Sequence, residues 1–343
     1  MRERWIMSPS LSIRWYWKKR CWPCLAVLKK ARDLDDCRLA DITGAVKEHP
    51  VIKGTACVLF SVLVWSGWMV ASRYGVKGTL SAYDITAIRF TVAGLLLAPV
   101  AFKRGLTAGP YGFWGAVILA MLVGAPYSMI AVAGMRYAPA SHASTLINGT
   151  LLLVTTIVGI HGLKEETSRI RLLGVACSFC GIVCMLAAKS GASSQEQWLG
   201  HILFVISGLI WSGYTLLVRA WKVNAMQASA AVCVISMLGY LPIYLAFIPS
   251  HISFDNWHDV AFQALYQGVL TGVLAFITFN AGVQLLGASR AGAFIPLVPA
   301  LSTILAIPIL HEVPTALEWV GVTAVSSGVF LASGFLGGRK KKE

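Results

Sequence analysis

The chain is poor in charged residues, and above all in acidic ones. Its 343 residues include 15 Asp and Glu and 29 Lys and Arg, so charged side chains make up 13% of the sequence. A soluble globular domain has about a quarter charged residues. Since 57% of the residues are apolar, a soluble fold of this length would lack the polar surface to cover its core. The composition excludes a soluble domain, a disordered chain and a disulfide scaffold, and it predicts a polytopic membrane protein.

Motifs that indicate catalysis or metal binding are also missing. The sequence contains no His-Glu-x-x-His motif, no Gly-rich phosphate loop with its lysine and no paired membrane aspartates. Cys21 and Cys24 have the spacing of a redox or metal-ligand pair, but no second pair accompanies them. Cys177, Cys180 and Cys184 share one face of a predicted helix, where we expect them to pack as small side chains. We therefore expect no cofactor and no metal.

Long apolar runs fill most of the chain after residue 50. A helix needs about 20 mostly apolar residues to cross the hydrocarbon of a bilayer. Ten segments of that length, numbered 1 to 10 in chain order, cover 52–72, 84–103, 112–134, 142–162, 170–188, 198–218, 226–248, 261–284, 290–310 and 317–337. Strands of a membrane barrel would alternate apolar and polar residues, whereas these runs are continuous. The fold class predicted is an all-α integral membrane protein with ten transmembrane helices.

Lys and Arg are unevenly distributed among the loops that connect the segments. If the N-terminus is cytoplasmic, the loops and tail on its side contain 12 of these residues and the opposite loops contain 4. Cytoplasmic loops carry such an excess, which predicts a multi-pass protein of the cell (inner) membrane with both termini, including the basic tail 339–343, in the cytoplasm. The net positive charge then needs no nucleic acid as a partner.

The first 50 residues form a basic extension that differs from the remainder. The run 15–20 (WYWKKR) is basic and aromatic and can lie on an anionic membrane surface. The alternatives are a disordered tail or translated sequence upstream of the true start. The extension has no apolar run and no small-residue cleavage site of the kind that marks a signal peptide.

The two halves of the apolar region resemble each other. Segments 1 and 6 share five residues at an offset of 146, namely Gly54/Gly200, Trp65/Trp211, Ser66/Ser212, Gly67/Gly213 and Arg73/Arg219. Segments 3 and 8 match at an offset of 148, as in Gly134/Gly282 and Ser141/Ser289. Segments 4–5 and 9–10 match at 147, as in Glu165/Glu312, Gly174/Gly321 and Gly181/Gly328. These ordered matches predict an internal duplication, with repeats at 51–190 and 191–338.

Each repeat contains five segments, an odd number, so the second copy enters the membrane from the opposite side. Two inverted repeats are a recurrent plan of secondary transporters, whose halves expose a central site to each face in turn. The sequence therefore predicts two inverted five-helix repeats and transport by alternating access. A duplicated channel, a membrane-embedded lipid-modifying protein and a scaffold stay open as alternatives.

Several short motifs resemble the EamA family of the drug/metabolite transporter superfamily. They are 64–68 (VWSGW), 87–90 (AIRF), 136–140 (RYAPA) and 310–312 (LHE). The resemblance covers residues 50–338 and implies export, less often uptake, of small metabolites such as amino acids. Segment 4 departs from the family pattern, since it has 148–152 (NGTLL) where prolines are common. If a helix break shapes the cavity, Gly149 is expected to provide it in this repeat.

Polar and aromatic residues inside the segments are the candidates for substrate binding. Arg89 is interpreted either as an anchor for a carboxylate or phosphate of the substrate or as an arginine that extends to the headgroups. Trp65 and Trp211 lie near the middle of equivalent segments, away from the interface where Trp usually serves as an anchor. The candidate substrate-binding residues are Trp65, Ser66, Arg89, Tyr127, Asn148, Thr150, Trp211, Ser212, Tyr214 and Gln267. The alternative for the polar ones is hydrogen bonding between helices.

Acidic and titratable residues occur near segment ends. Glu165 and Glu312 are repeat equivalents. They are interpreted either as groups that gate transport or transfer protons, or as groups that pair with nearby basic residues or sit hydrated. His142 can titrate near neutral pH. No carboxylate occupies the middle of a segment, so the sequence does not predict proton coupling through a buried acid. The GxxxG motif at 268–272 indicates a close contact within one chain or in a homodimer. The partners expected are a small-molecule substrate and membrane lipid.

Overall fold

The computed structural model describes residues 49–162, 164, 167–188 and 196–333, and within these ranges the chain is helical and has no strand. The run 15–20, Cys21, Cys24, Glu165 and the tail 339–343 lie outside the described residues. From Lys53 onward the described residues form one compact unit. Its ten helical segments are α1 (His49–Lys77), α2 (Ala82–Arg104), α3 (Gly112–Val123 and Ala125–Tyr137), α4 (Ala140–His161), α5 (Arg169–Ala187), α6 (Gln197–Ala220), α7 (Ala225–Phe247), α8 (Trp257–Gln263, Ala264–Leu274 and Ala275–Leu286), α9 (Ala288–Gly292 and Leu297–Leu310) and α10 (Ala316–Ala332).

The predicted all-α membrane fold is confirmed. In the described part of the chain, nine helices are long and apolar enough to cross a membrane, and α10 is a shorter apolar helix. The clearest difference from the predicted bounds is α1, which continues to Lys77 instead of ending at residue 72. Arg73 lies within this last part of α1 and is buried. Its charge does not end the helix because Glu312 pairs with it.

Repeat-equivalent glycines of α5 and α10 contact each other reciprocally. A Cβ atom added to Gly174 would lie 2.5 Å from the carbonyl oxygen of Gly328, and one added to Gly181 would lie 2.8 Å from that of Gly321. Gly174 and Gly321 are equivalent, as are Gly181 and Gly328, so exchanging the repeats turns one contact into the other. A two-fold relation between the repeats produces such a contact. Its residue order makes α5 and α10 antiparallel, as inverted repeats require.

A second pair of contacts has the same symmetry. A Cβ atom on Gly282 of α8 would lie 3.1 Å from the carbonyl oxygen of Gly54 in α1. A Cβ atom on Gly200 of α6 would lie 2.9 Å from the carbonyl oxygen of Gly134 in α3. Gly54 and Gly200 are repeat equivalents, and so are Gly134 and Gly282. Exchanging the repeats therefore turns the α1–α8 contact into the α6–α3 contact. The bundle is thus built from two inverted five-helix repeats.

The GxxxG motif of α8 is used inside the chain. A Cβ atom on Gly268 would lie 2.4 Å from Val92, and one on Gly272 would lie 2.7 Å from Ala93, both on α2. The motif therefore brings α8 close to α2. The motif is thus used for a contact within one chain, and the homodimer stays a prediction.

In the described part of the chain, three helices have irregular backbone, and α4, where a break at Gly149 was expected, is not one of them. α3 is divided at Gly124, and the matching residue in the second repeat, Gly272, lies in the π-helical part of α8. α9 is interrupted between Gly292 and Leu297. α4 instead runs as one helix through Gly149, where a Cβ atom would lie 2.9 Å from Ile182 of α5. Gly149 therefore permits close packing. Irregular backbone at membrane depth is tolerated where it is buried or lines a cavity.

Candidate functional site

A cavity of about 180 Å³ is lined by helices of both repeats. Five of the ten candidate residues lie in its wall, namely Trp65, Arg89, Tyr127, Asn148 and Trp211. The remaining wall is formed by Trp68, Met69, Ile147, Leu151, Thr271, Phe276, Ile295 and Val298. Thr271 belongs to the π-helical part of α8, and Ile295 to the interruption of α9. The irregular helices thus border the cavity.

Aromatic rings make up much of this wall. Trp65 packs against Phe279, with ring centroids 5.0 Å apart. Trp211 meets Tyr127 edge-on at 4.8 Å, and Tyr127 stacks on Trp68 at 6.2 Å. Trp68, which the sequence analysis did not select, therefore belongs to the same aromatic group.

Arg89 supplies a positive charge to the cavity. Its side chain is buried, with 9% of the residue exposed, so it does not extend to the surface. The guanidinium carbon lies 5.2 Å from the centroid of the Trp68 ring. This distance allows a cation–π interaction, and such an interaction is stronger where water is excluded.

Three polar atoms of this wall have no hydrogen-bond partner among the residues that the structure describes. They are Nη1 of Arg89 and the hydroxyl groups of Tyr127 and Thr271. A buried donor without a partner costs about 1–3 kcal/mol, and more if it is charged. All three lie at one cavity, so water or a ligand held there can satisfy them together.

Gln267 lies behind the wall. Its Oε1 accepts a hydrogen bond of 2.6 Å from the Trp68 indole, and its amide donates to Ser72 and Gln263 at 2.9 and 3.1 Å. Gln267 therefore fixes the orientation of Trp68.

The other four candidate residues all carry hydroxyl groups, and they contribute to helix packing. Ser66 donates to the carbonyl oxygen of Val62 at 2.7 Å, and its repeat equivalent Ser212 donates to that of Gly208 at 2.6 Å. Thr150 packs against Gly208 of α6, where an added Cβ atom would lie 2.6 Å from the Cβ atom of Thr150. Tyr214 packs against an apolar cluster that contains Ala116, Leu119 and Ala228. Ser66, Ser212, Thr150 and Tyr214 are not part of the cavity wall.

One end of the bundle carries an ion pair between the repeats. There α1 and α9 end and α4 and α10 begin, and we call it the Glu312 end. Arg73 Nε donates to Glu312 Oε1 at 2.8 Å, and Lys77 Nζ lies 3.1 Å from the same oxygen. The Ala140 amide donates to Glu312 Oε2 at 3.1 Å, and Arg73 also donates to the Met135 carbonyl oxygen. The structure thus shows Glu312 paired with basic groups, which is one of the alternatives that the sequence left open.

The environment of Glu312 changes its acidity. Burial alone would raise the pKa of this carboxyl, but the charge and hydrogen bond of Arg73, the Ala140 amide and the charge of Lys77 hold the pKa below its ordinary value. Glu312 is therefore ionised at neutral pH. The pair joins α1 of the first repeat to the α9–α10 loop of the second.

His142 has two buried partners that the sequence analysis missed. Its Nδ1 lies 2.8 Å from Nε2 of His201 in α6, and its Nε2 is hydrogen-bonded to Glu318 in α10. The Glu318 side chain is oriented by a capping box with Thr315, whose amide donates to it at 2.6 Å. The spacing Thr-x-x-Glu at 315–318, ahead of an apolar run, is the sequence signal that could have pointed to Glu318. For His201 the sequence offers no comparable signal.

Comparison with known proteins gives the family. The EamA-like transporter family matches residues 52–187 and 198–334, so that each match contains five of the ten helices. The chain is 23% identical over 294 residues to a probable terminal-alkyne amino-acid exporter of Streptantibioticus cattleyicolor, covering 84% of this chain and 96% of that protein. It is 24% identical over 215 residues to the uncharacterized transporter YyaM of Bacillus subtilis, covering 59% of this chain and 67% of that protein.

A solved crystal structure shares the fold. It superposes with a TM-score of 0.53 at 20% sequence identity, over 81% of this chain and 96% of its own. At that identity the likeness concerns the fold alone. The two family matches, one on each half of an inverted ten-helix bundle, agree with the motifs quoted above. The chain belongs to the EamA-like transporter family, and it is a multi-pass membrane transporter rather than an enzyme.

Proposed function

We propose that this protein exports small metabolites that carry a carboxylate on an apolar or amphipathic body, such as amino acids, and binds them in the Arg89 cavity. The observation that carries the proposal is the pair of unpartnered donors, Nη1 of Arg89 and the Tyr127 hydroxyl, in an otherwise aromatic wall. A carboxylate would accept a charge-assisted hydrogen bond from Arg89, and such bonds are about twice as strong as neutral ones.

The size and lining of the cavity support a small substrate with an apolar part. Sites for drug-sized ligands have volumes of about 300–1,000 Å³, whereas this cavity has about 180 Å³. Trp65, Trp68 and Trp211 offer ring faces to the apolar part of the substrate. The relative whose name is probable terminal-alkyne amino-acid exporter supports the same substrate class.

Transport would follow from movement of the two repeats about this cavity. The wall contains equivalent residues from both repeats, and the Arg73–Glu312 pair joins the repeats at the Glu312 end. Opening of that end would separate this pair, and opening of the other end would leave it intact. With both termini cytoplasmic, as the Lys and Arg distribution predicts, the Glu312 end faces outward in the cell (inner) membrane.

A counterflow assay in proteoliposomes tests the proposal. Vesicles loaded with a panel of unlabelled amino acids and other carboxylates, each beside its neutral amide, are given the labelled compound outside. We expect accumulation of at least one carboxylate, no accumulation of its amide, and loss of the signal in Arg89→Ala. Arg136→Ala is the matched control, because Arg136 is an exposed arginine at the end of α3.

Two results would contradict the proposal. Equal counterflow of acid and amide would remove the carboxylate from the recognition, and full activity of Arg89→Ala would remove Arg89. A scaffold that acts through the basic extension is the alternative, and deletion of residues 2–48 separates the two. A carrier should keep its counterflow after the deletion, whereas a scaffold should lose its partner or lipid.

A further inference from the structure

Asn148 places a side-chain amide in the wall of the Arg89 cavity. Its Nδ2 donates a hydrogen bond of 2.7 Å to the carbonyl oxygen of Ser144, one turn earlier on α4. A carbonyl oxygen can only accept, so this contact fixes which end of the amide is the nitrogen. The nitrogen is turned back toward the helix, and Oδ1 is the end of the amide that is left for another partner.

The amide oxygen of Asn148 accepts no hydrogen bond from any residue that the structure describes. An amide oxygen has two lone pairs and no proton to donate. It therefore complements the unpartnered atoms of the same wall, which are Nη1 of Arg89 and the hydroxyl groups of Tyr127 and Thr271. The wall thus offers a cationic donor, hydroxyl groups and an amide acceptor to a molecule in the cavity.

The amide and the charge lie on the same repeat. At the offset of 147, the equivalents of Asn148 and Leu151 are Ile295 and Val298, and all four residues line the cavity. The second repeat therefore has an aliphatic side chain where the first has the amide. Since Arg89 also belongs to the first repeat, we expect the polar end of a substrate to contact this repeat and its apolar part to contact the second.

An α-amino acid has its two polar groups at one end, on a single carbon atom. Its carboxylate can accept a hydrogen bond from Arg89, and its ammonium has three N–H donors, one of which can be given to Oδ1 of Asn148. Both residues line one cavity of about 180 Å³. A single small molecule can therefore contact both of them.

The aromatic wall favours an ammonium over a neutral donor such as a hydroxyl group. Trp65, Trp68 and Trp211 line the cavity, and a cation within about 6 Å of a ring centroid is attracted to the ring face. A neutral hydroxyl group gains no such attraction. The carboxylate on the same carbon atom balances the charge of Arg89, so the ammonium can be bound without an acidic side chain.

We propose that Asn148 is a specificity-determining residue, whose Oδ1 accepts a hydrogen bond from the ammonium of an α-amino acid held at its carboxylate by Arg89. The inference rests on the proposed function, since it takes the carboxylate at Arg89 as given. It adds that the cavity distinguishes an amino acid from the acid of the same carbon skeleton that lacks the amino group. A hydrogen bond to a charged group changes affinity by about tenfold or more.

Isothermal titration calorimetry of the purified protein in detergent at neutral pH tests the inference. The probes are three sets of one amino acid, its deaminated analogue and its hydroxy analogue. They are alanine, propionate and lactate; leucine, isocaproate and leucate; and phenylalanine, hydrocinnamate and phenyllactate. In at least one set, we expect the Kd of the amino acid to be about tenfold lower than the Kd of either analogue.

Two substitutions at Asn148 separate the role of the oxygen from that of packing. Asn148→Leu removes the acceptor, so the Kd of the amino acid should rise by about tenfold and approach the Kd values of its analogues. Because Arg89 is retained, the amino acid should still bind at higher concentration. Asn148→Asp keeps an oxygen acceptor and should preserve or widen the parent's ratio of Kd values, which a loss of packing alone would not do.

Asn280→Leu is the matched control. Asn280 is also a half-buried asparagine of a membrane-spanning helix, in α8, but it is not part of the cavity wall. This variant should keep the parent's Kd values. Thermal unfolding confirms that each variant is folded.

Three results would overturn the inference alone, provided that Arg89→Ala weakens binding of the acids. They are equal Kd values for the amino acid and its deaminated analogue, equally tight binding of the hydroxy analogue, and a folded Asn148→Leu protein that keeps the parent's ratio. Absence of binding by every compound of the three sets, or binding of the acids to Arg89→Ala as tight as to the parent, would overturn the proposed function together with it.

Discussion

Trp65 and Trp211 lie 146 residues apart at equivalent positions of the two repeats, and both form the wall of one cavity. Each is held by aromatic neighbours, Trp65 by Phe279 and Trp211 by Tyr127. Two residues related by an inverted duplication meet in one place when that place lies near the symmetry axis. The cavity is therefore positioned where movement of one repeat against the other would expose it to either face.

Replacing either Trp by Ala should impair transport to a similar extent. Loss of the ring removes a surface for the apolar part of the substrate, and we expect KM to rise by about tenfold, which corresponds to about 1.4 kcal/mol of binding. Initial rates of counterflow over a range of substrate concentrations measure this. Trp198→Ala is the control, because Trp198 is an exposed residue at the start of α6. Unchanged KM in both Trp65→Ala and Trp211→Ala would place the substrate elsewhere.

The contact between α5 and α10 should not tolerate a methyl group. A Cβ atom on Gly328 would lie 2.4 Å from the carbonyl oxygen of Gly174, which is backbone and cannot move aside cheaply. Overpacking of this kind costs about 2 kcal/mol, so Gly328→Ala should lower the thermal unfolding temperature in detergent.

Gly239→Ala is the matched control for this substitution. Gly239 is also a helical glycine, but no heavy atom of the described part of the chain lies within 4 Å of a Cβ atom added there. Alanine favours a helix more than glycine does, so this variant should be as stable as the parent or slightly more stable. Equal unfolding temperatures for Gly328→Ala and Gly239→Ala would mean that α5 and α10 are not closely packed at these residues.

The Arg73–Glu312 pair should make stability depend on acid pH. The pKa of Glu312 is held below its ordinary value in the folded protein, so its contribution to stability is complete above the ordinary glutamate pKa of about 4.3. The contribution is lost as the pH falls through the lowered value in the folded state. Glu312→Gln leaves Arg73 buried without its counter-ion and should cost about 3 kcal/mol at pH 7.

Unfolding temperatures measured from pH 7 to pH 3 test this account of Glu312. The difference between the parent and Glu312→Gln should narrow as the pH falls, whereas Glu196→Gln, at an exposed glutamate, should follow the parent throughout. A difference that stays constant over this range would show that ionised Glu312 does not stabilise the fold.

The architecture could be predicted from the sequence because it depends on composition and repetition. Apolar runs of sufficient length give the helices, and the offsets of 146 to 148 give the duplication. The odd number of helices per repeat then gives the inversion. The same offsets made Trp65 and Trp211 equivalent, and both line the cavity. Arg89 was selected because it is an arginine inside an apolar segment, and it lies in the same wall.

The polar network at the Glu312 end could not be predicted, because its residues lie near helix ends where water is the default partner. Glu318 and Asp84 each lie in the first turn of a helix, where an acidic side chain is usually hydrated, yet both are buried. Their burial depends on contacts across the fold, such as Tyr244 to Asp84 and His142 to Glu318. The sequence contains the residues but not these pairings.

The irregular helices were predicted incompletely for a related reason. Gly149 was expected to interrupt α4, but α4 is continuous, and the irregular backbone lies instead at Gly124 in α3 and at the equivalent position of α8, which is π-helical. A glycine in an apolar segment is compatible either with a break or with close packing. Only the neighbouring helix decides between the two, and at Gly149 that neighbour is α5.

Two-sided accessibility of the cavity is the most direct test of alternating access at this site. In a cysteine-free variant carrying Asn148→Cys, an impermeant maleimide is applied to right-side-out and to inside-out vesicles with and without a transported substrate. The account predicts labelling from both faces and slower labelling from both when the substrate is present. Labelling from one face only, or labelling that a transported substrate does not slow, would contradict it.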